Sequence, residues 1–382
     1  MIRTFLAYIL RCGLGVLSLG VLGGCGHDKR YVDVLFDRID LAVNQEEDQG
    51  SSAVADSRLV DPIGLQVSPN GSFWVANGAT GTATVYGFDG TPQPAAEPLV
   101  VNLPVPASLP PGTLPRATGA AYYGGYGLEI VSGTARDSAR FLFATREGTI
   151  LGYNPAIDRD NAIIAVDNSA TGAVYHGLSA VALRSGGRLY ATNFHAGTVD
   201  VFDENFAPAT GLDPAAFEDL ELPAGFAPFG IQRLEDRLYV SFAQQDASGV
   251  EPVSGPGKGY IDSFSLNGRF LARVATEGAL DTPYGMALAP WSLPYYGGAL
   301  LVANAGDGRI NAYDLYYNTL IGGLKDTHNQ GLFIDGLKDL SIGYGIEGDL
   351  AIYFTAGPSG GQGGAFGTLL VRLIDREPPH DD

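Results

Sequence analysis

Short apolar runs separated by Gly, Asn, Asp and Pro recur through most of this chain. Such runs, β-branched or aromatic and bounded by turn residues, predict strands. They come in pairs. FWVAN and TATVYGFD follow each other from Phe73, FLFAT and TILGYN from Phe141, LYATN and TVDVFD from Leu189, and LLVAN and RINAYD from Leu300. LYVSFAQQ from Leu238 meets GYIDSF only after a long loop, and LAIYFTAGP from Leu350 meets GTLLVRL in the same way. Turns such as AGDG and HAGT make each pair a hairpin. A third strand precedes each pair and carries a corner glycine: Gly64, Gly119, Gly177, Gly230, Gly285 and Gly336. The corners recur about every 55 residues, a period that belongs to stacked repeats. Repeated four-stranded units define a β-propeller. Six corners predict an all-β, six-bladed β-propeller of four-stranded blades. No sustained 3.6-residue period runs through these repeats, and Ala215 to Phe217 offers one helical turn at most.

A unit that cannot bury its own face must stack on neighbours, so the ring has to close. Tyr31 to Val43 (YVDVLFDRIDLAV) alternates as a strand and precedes the first corner. It is expected to complete the last blade, closing the ring by pairing N- and C-terminal strands and leaving fewer free edges. Asn44 to Asp56 reads as a polar loop. Thr91 to Arg116 is Pro-rich, with LVVNLPVP as an outer edge strand. Long loops at Gln244 to Lys258 and Pro358 to Gly367 interrupt the hairpins of blades four and six. The predicted organisation is a signal peptide at 1–24, a tether at 25–30, the propeller at 31–375 and a disordered tail at 376–382.

The first 24 residues are an address. Arg3 and Arg11 precede an apolar, small-residue segment too short to span a membrane comfortably. Leu22-Gly23-Gly24-Cys25 resembles the bacterial lipobox, which implies cleavage before Cys25 and a lipid anchor on its sulfur. Gly26 stands where an Asp would mark inner-membrane retention, so the expected location is the cell envelope, lipid-anchored and leaning to the outer membrane. The only other cysteine, Cys12, lies inside the signal. The mature domain therefore has no disulfide framework and no cysteine metal site.

The formal net charge is −19, and loss of the signal removes two arginines and no acid. Such a surface repels phosphate backbones and excludes nucleic acid as an expected partner. The 53 glycines suit tight turns and closely approaching sheets. The chain has none of the nucleophile-elbow, HExxH, P-loop or Rossmann patterns. Ser254 to Gly259 (SGPGKG) lacks P-loop spacing.

The units resemble NHL-type six-bladed propellers. More specifically, the mature chain resembles a family of uncharacterised secreted bacterial proteins. DPIGLQVSPNGSFWVANGATGTATVY, ATREGTILGYNP, LYATNFHAGTVDVFD, LPAGFAPFGIQ, TPYGMALAP, GALLVANAGDGRINAYD, IDGLKDLSIG and LAIYFTAGP carry that resemblance over most of the chain. It implies the propeller fold and an extracytoplasmic address, and no reaction. Some members carry a Pro-Glu-Pro sorting segment, which is missing from this chain.

In such a fold the corners and the turns between second and third strands share one face, around the channel mouth. Asn77, Thr145, Asn193 and Asn304 would gather there from strand ends, Glu147, His195 and Asp307 from turns, and Asp61, His176, Asp281 and Asp335 from corners. Loops on a rigid scaffold are the usual binding surface. Each residue also has a plain role. Asn at a strand end caps a turn. His176 aligns with Ile63, Phe229 and Tyr284 and so fills a packing slot. His195 sits in a turn. Two functions are open on this basis. One is a binding or scaffold module for a protein, glycan or small-molecule ligand, with no cofactor. The other is a metal-dependent lactonase-like hydrolase, with a Ca2+-like divalent ion in the channel polarising a carbonyl, or a lyase using His176 or His195 as base.

Overall fold

Six sheets stand in a ring, each starting with a strand beside the central axis. The computed structural model describes residues 31–44, 53–110, 112–345 and 350–376. The predicted signal peptide, Cys25, the predicted tether and the predicted tail from 377 onward lie outside the described residues. The chain divides into Val34–Ile374, which holds the ring, and Met1–Asp33 with Asp375–Asp382. The inner strands are Pro62–Val67, Ala117–Tyr122, Tyr175–Leu183, Phe226–Leu234, Pro283–Leu288 and Leu337–Tyr344. Each packs against the next, and the sixth packs against the first.

The second strands Phe73–Asn77, Phe141–Thr145 and Leu300–Asn304 are buried at every residue. They lie between two strands of their own sheet and between two neighbouring sheets. This explains why they read as continuous apolar runs rather than as alternation. Aromatic rings fill the gaps between blades. Trp74 of blade one stacks on Phe141 of blade two at 3.9 Å, and Phe73 meets Tyr353 of blade six at 4.1 Å.

The corner glycines are required by the closeness of neighbouring inner strands. A Cβ on Gly64 would lie 2.6 Å from the Ala120 nitrogen, and one on Gly177 would lie 2.6 Å from the Ile231 nitrogen. On Gly119 and Gly230 it would strike the carbonyl oxygens of His176 and Tyr284. On Gly285 it would lie 2.6 Å from the Asp339 Cα. The sixth corner differs from the expectation. The irregular pairing that marks the corner falls between Leu337 and Leu340, so Asp339 occupies the glycine position and Gly336 does not. Gly336 sits three residues earlier at φ 67°, where a side chain would strike Gly357 of its own blade. At the seam between blades six and one, the Asp339 carboxylate accepts hydrogen bonds from the Leu65 and Leu340 N–H groups, at 2.9 and 2.8 Å. Burial pushes its pKa up to about 7, against the pull of those two bonds.

Blades one, two, four and five have the expected four strands. Blade three has three, and beyond them Phe202 makes a single bridge to Pro208. Blade two carries an extra hairpin, Glu129–Ser132 with Ala135–Ser138. In blade six the strand after the long loop begins at Ala365, earlier than the sequence suggests. The N-terminal strand Tyr31–Val43 lies beside that C-terminal strand, Ala365–Arg376, and closes the ring. The two-residue strand Val54–Ala55 then pairs parallel to it. Leu35, Phe36, Leu41, Ala42 and Val43 are buried. Asn44 locks the end of the strand: its N–H donates to the Gly364 carbonyl at 3.1 Å, and its Oδ1 accepts from the Gly364 N–H at 2.9 Å.

Candidate functional site at the channel mouth

Equivalent register places Ile63, Thr118, His176, Phe229, Tyr284 and Lys338 one residue before each corner. Four of these six side chains are apolar or aromatic packing groups or a short hydroxyl. His176 and Lys338 break the pattern. Tyr284 reaches across the axis from blade five, and its hydroxyl donates to the Thr118 carbonyl of blade two. The ring of Tyr284 packs on Phe229 at 5.1 Å, and Phe229 packs on His176 at 4.7 Å. Phe194 completes this aromatic floor, 5.3 Å from His176. On the far side of the floor, Gln66, Gln232, Met286 and Asp339 line a small space of about 20 Å3, room for little more than a water.

Above the floor the loop between Gln244 and Lys258 folds over the mouth. It is tied to three other blades. Gln245 Nε2 donates to the Phe194 carbonyl at 2.5 Å, and the Gly255 N–H donates to Asp281 Oδ1 at 2.8 Å. Glu251 forms an ion pair with Arg146 of blade two. Asp246 holds the tip together by accepting from the Val250 N–H at 3.0 Å and the Ser248 hydroxyl at 2.9 Å.

His176 is buried, and its pKa is lowered to about 3. Burial is the main cause, with the charges of Arg146 and Lys338 adding to it and a hydrogen bond to the Val250 backbone opposing. The imidazole is therefore neutral near pH 7. Its Nε2 has no hydrogen-bond partner. Asp61, at φ 48°, is pushed above the usual carboxylate range by burial, while Lys338, Arg116 and Arg146 pull it back. Its Oδ1 is also buried without a partner. Lys338 is half-buried and, among the described residues, makes no hydrogen bond or ion pair. Unpaired polar groups in such places cost stability. Three of them, from blades one, three and six, belong to one end of the ring.

The other predicted residues divide differently. Asn77 Nδ2 donates to the Thr84 and Thr82 hydroxyls at 3.0 and 3.3 Å, within its own hairpin. Asn193 Nδ2 donates to Asp200 at 3.1 Å, and its Oδ1 accepts from the Val174 and Ala196 N–H groups at 3.3 Å. Asn304 Nδ2 donates to the Ala279 carbonyl at 2.8 Å. Asn193 and Asn304 hold their hairpins to the preceding loops, Asn77 bonds only within its own, and Oδ1 of Asn77 and of Asn304 stays unpartnered. Thr145 bonds Thr149 at 2.8 Å. His195 is exposed, beside Gly249 of the covering loop. Asp335 accepts from the Ser359 N–H at 3.0 Å, Asp307 from the Arg309 N–H at 3.1 Å, and Glu147 from the Arg116 N–H at 3.0 Å. Sequence reasoning missed Lys338, Arg146 and the crossing Tyr284. The signal for Lys338 was there: LKDLSI matches PYGMAL once Leu340 is set against Met286.

Among the described residues, no three His, Cys, Asp or Glu side chains gather to hold a metal ion. The Asp61 carboxyl lies near three cationic side chains, Lys338, Arg116 and Arg146.

The fold is thus that of a six-bladed β-propeller with a covered polar mouth. The chain belongs to the same family as uncharacterized protein R648 of Acanthamoeba polyphaga mimivirus, to which it is 31% identical over 324 residues, 84% of this chain and 76% of that protein. Uncharacterized protein R640 of the same virus is 35% identical over 214 residues, 56% of this chain, and the matched part spans only 39% of that relative. No family model matches. Among solved structures, a protein of unknown function from Bacteroides thetaiotaomicron VPI-5482 has a TM-score of 0.51 at 11% identity, with 90% of this chain and 77% of that chain covered. A virginiamycin B lyase from Staphylococcus aureus has a TM-score of 0.46 at 12% identity, over 88% of this chain and all of that one.

Proposed function

We propose that this protein is an extracytoplasmic, lipid-anchored binding module whose ligand site is the covered channel mouth. One observation carries the binding site: His176 Nε2 and Asp61 Oδ1 are buried without partners at the same end of the ring as Lys338, which among the described residues makes no hydrogen bond or ion pair. A fold that keeps such groups unpaired sacrifices stability, and a ligand supplies the missing bonds. Binding is favoured over lyase chemistry at His176 because a base with a pKa near 3 abstracts protons weakly. The test is a thermal-shift screen of small acids, neutral sugars and short peptides against wild type and Lys338→Met. A ligand of the mouth shifts wild type by several degrees and the variant by much less. Equal shifts in the two proteins for every compound that binds would overturn the mouth as the site.

The anchor is proposed from Leu22-Gly23-Gly24-Cys25. Wild type should fractionate with membranes, and Cys25→Ser should accumulate as uncleaved precursor that no longer incorporates labelled palmitate. Equal palmitate labelling in the two would refute the anchor.

A further inference from the structure

The occupant of the mouth is legible in its charges. This inference rests on the mouth being a binding site and adds what binds and how entry is controlled. Lys338, Arg116 and Arg146 all act on the Asp61 carboxyl, and Arg146 is the cation that Glu251 engages, so displacing Glu251 would leave a place for one anionic group. Arg146 is not free. Its side chain is only 16% exposed, and it is held by Glu251, which is 53% exposed and arrives from blade four on the covering loop. Glu251 thus places a carboxylate where the mouth has a cation to offer. Nε2 of His176 is buried without a partner and can be satisfied by a hydroxyl whether it donates or accepts. Asp61 Oδ1 is a buried acceptor without a partner. A carboxylate alone would leave Asp61 Oδ1 unsatisfied. Hydroxyl groups would satisfy both.

We propose that the mouth takes a small hydroxylated carboxylate of the sugar-acid kind, and that Glu251 holds the place of the ligand's carboxylate until it is displaced. The loop is then a lid whose latch is the Arg146–Glu251 pair. Opening breaks that pair, and binding replaces it with an equivalent one to the ligand.

The probes are D-glucuronate, with D-glucose as the neutral control, measured by titration calorimetry on the mature chain. Wild type, Glu251→Gln and Lys338→Met are compared, each first shown to melt cooperatively. Glucuronate is expected to bind wild type, about 10-fold tighter to Glu251→Gln and at least about 10-fold weaker to Lys338→Met, where each factor of ten is about 1.4 kcal/mol. Glucose is expected to bind none of them. Equal binding to wild type and Glu251→Gln, with loss in Lys338→Met, would overturn the latch and leave the mouth as the site. No glucuronate binding to any of the three would overturn the ligand class. The thermal-shift screen then decides the mouth separately, by whether any other compound depends on Lys338.

Discussion

A chain that begins at Asn44 is expected to lose the closed ring. Removing the strand through Val43 exposes the edge of Ala365–Arg376 and takes five buried apolar residues out of the core. At about 1.5–3 kcal/mol for each large side chain, the four beside Ala42 account for roughly 6–12 kcal/mol. That is as large as the whole stability of a typical domain, about 5–15 kcal/mol. Phe36 also reaches blade five, where its N–H donates to the Lys325 carbonyl at 2.8 Å, so the loss spreads beyond one sheet. The truncated chain should show no cooperative melt and rapid proteolysis. A synthetic peptide of residues 31–44 added in excess should restore part of the transition by mass action. A truncated chain that melts cooperatively within a few degrees of wild type would show that the ring closes without this strand.

The second large effect is expected at the corners. In Gly119→Ala the new methyl meets the His176 carbonyl oxygen, a backbone atom of the next inner strand that has no room to retreat. Overpacking of this kind costs about 3 kcal/mol, and the change should propagate to His176 itself. Gly197→Ala is the comparison. Gly197 has φ 71° and nothing within 4 Å of a built Cβ. That variant should lose only about 1 kcal/mol, the cost of a left-handed backbone for an alanine. Urea titration of the two variants gives both numbers. Equal losses would mean that close approach of inner strands is not what demands glycine at the corners.

The corners also show what was legible in the sequence and what was not. Gly64, Gly119, Gly177, Gly230 and Gly285 recur because each meets the same backbone neighbour around the ring, so a physical constraint becomes a visible period. The sixth unit hid behind Gly336, a glycine that serves a turn in its own blade. The true corner residue is Asp339, whose carboxylate takes up two N–H groups at the ring seam. Misplacing that corner by three residues also hid Lys338. The three asparagines were visible for a local reason, since each secures a hairpin, and such a role recurs wherever the hairpin recurs. The ion pair of Arg146 with Glu251 joins residues 105 positions apart and leaves no trace in spacing. His176 was visible as a residue of the wrong type in a packing slot. Its neutral state depends on burial and two distant cations that only the fold brings together.

The most direct test of a mouth that keeps its polar groups unpaired for a ligand needs no ligand. Thermal unfolding of wild type and Lys338→Met, both ligand-free, compares an unpaired half-buried ammonium with an apolar group of similar length. The variant is predicted to melt higher by about 2 °C, corresponding to about 1 kcal/mol, while losing the ligand-induced shift. A variant that melts lower than wild type would mean that Lys338 is part of what holds the ring together, and the account of the mouth as a binding site would be contradicted.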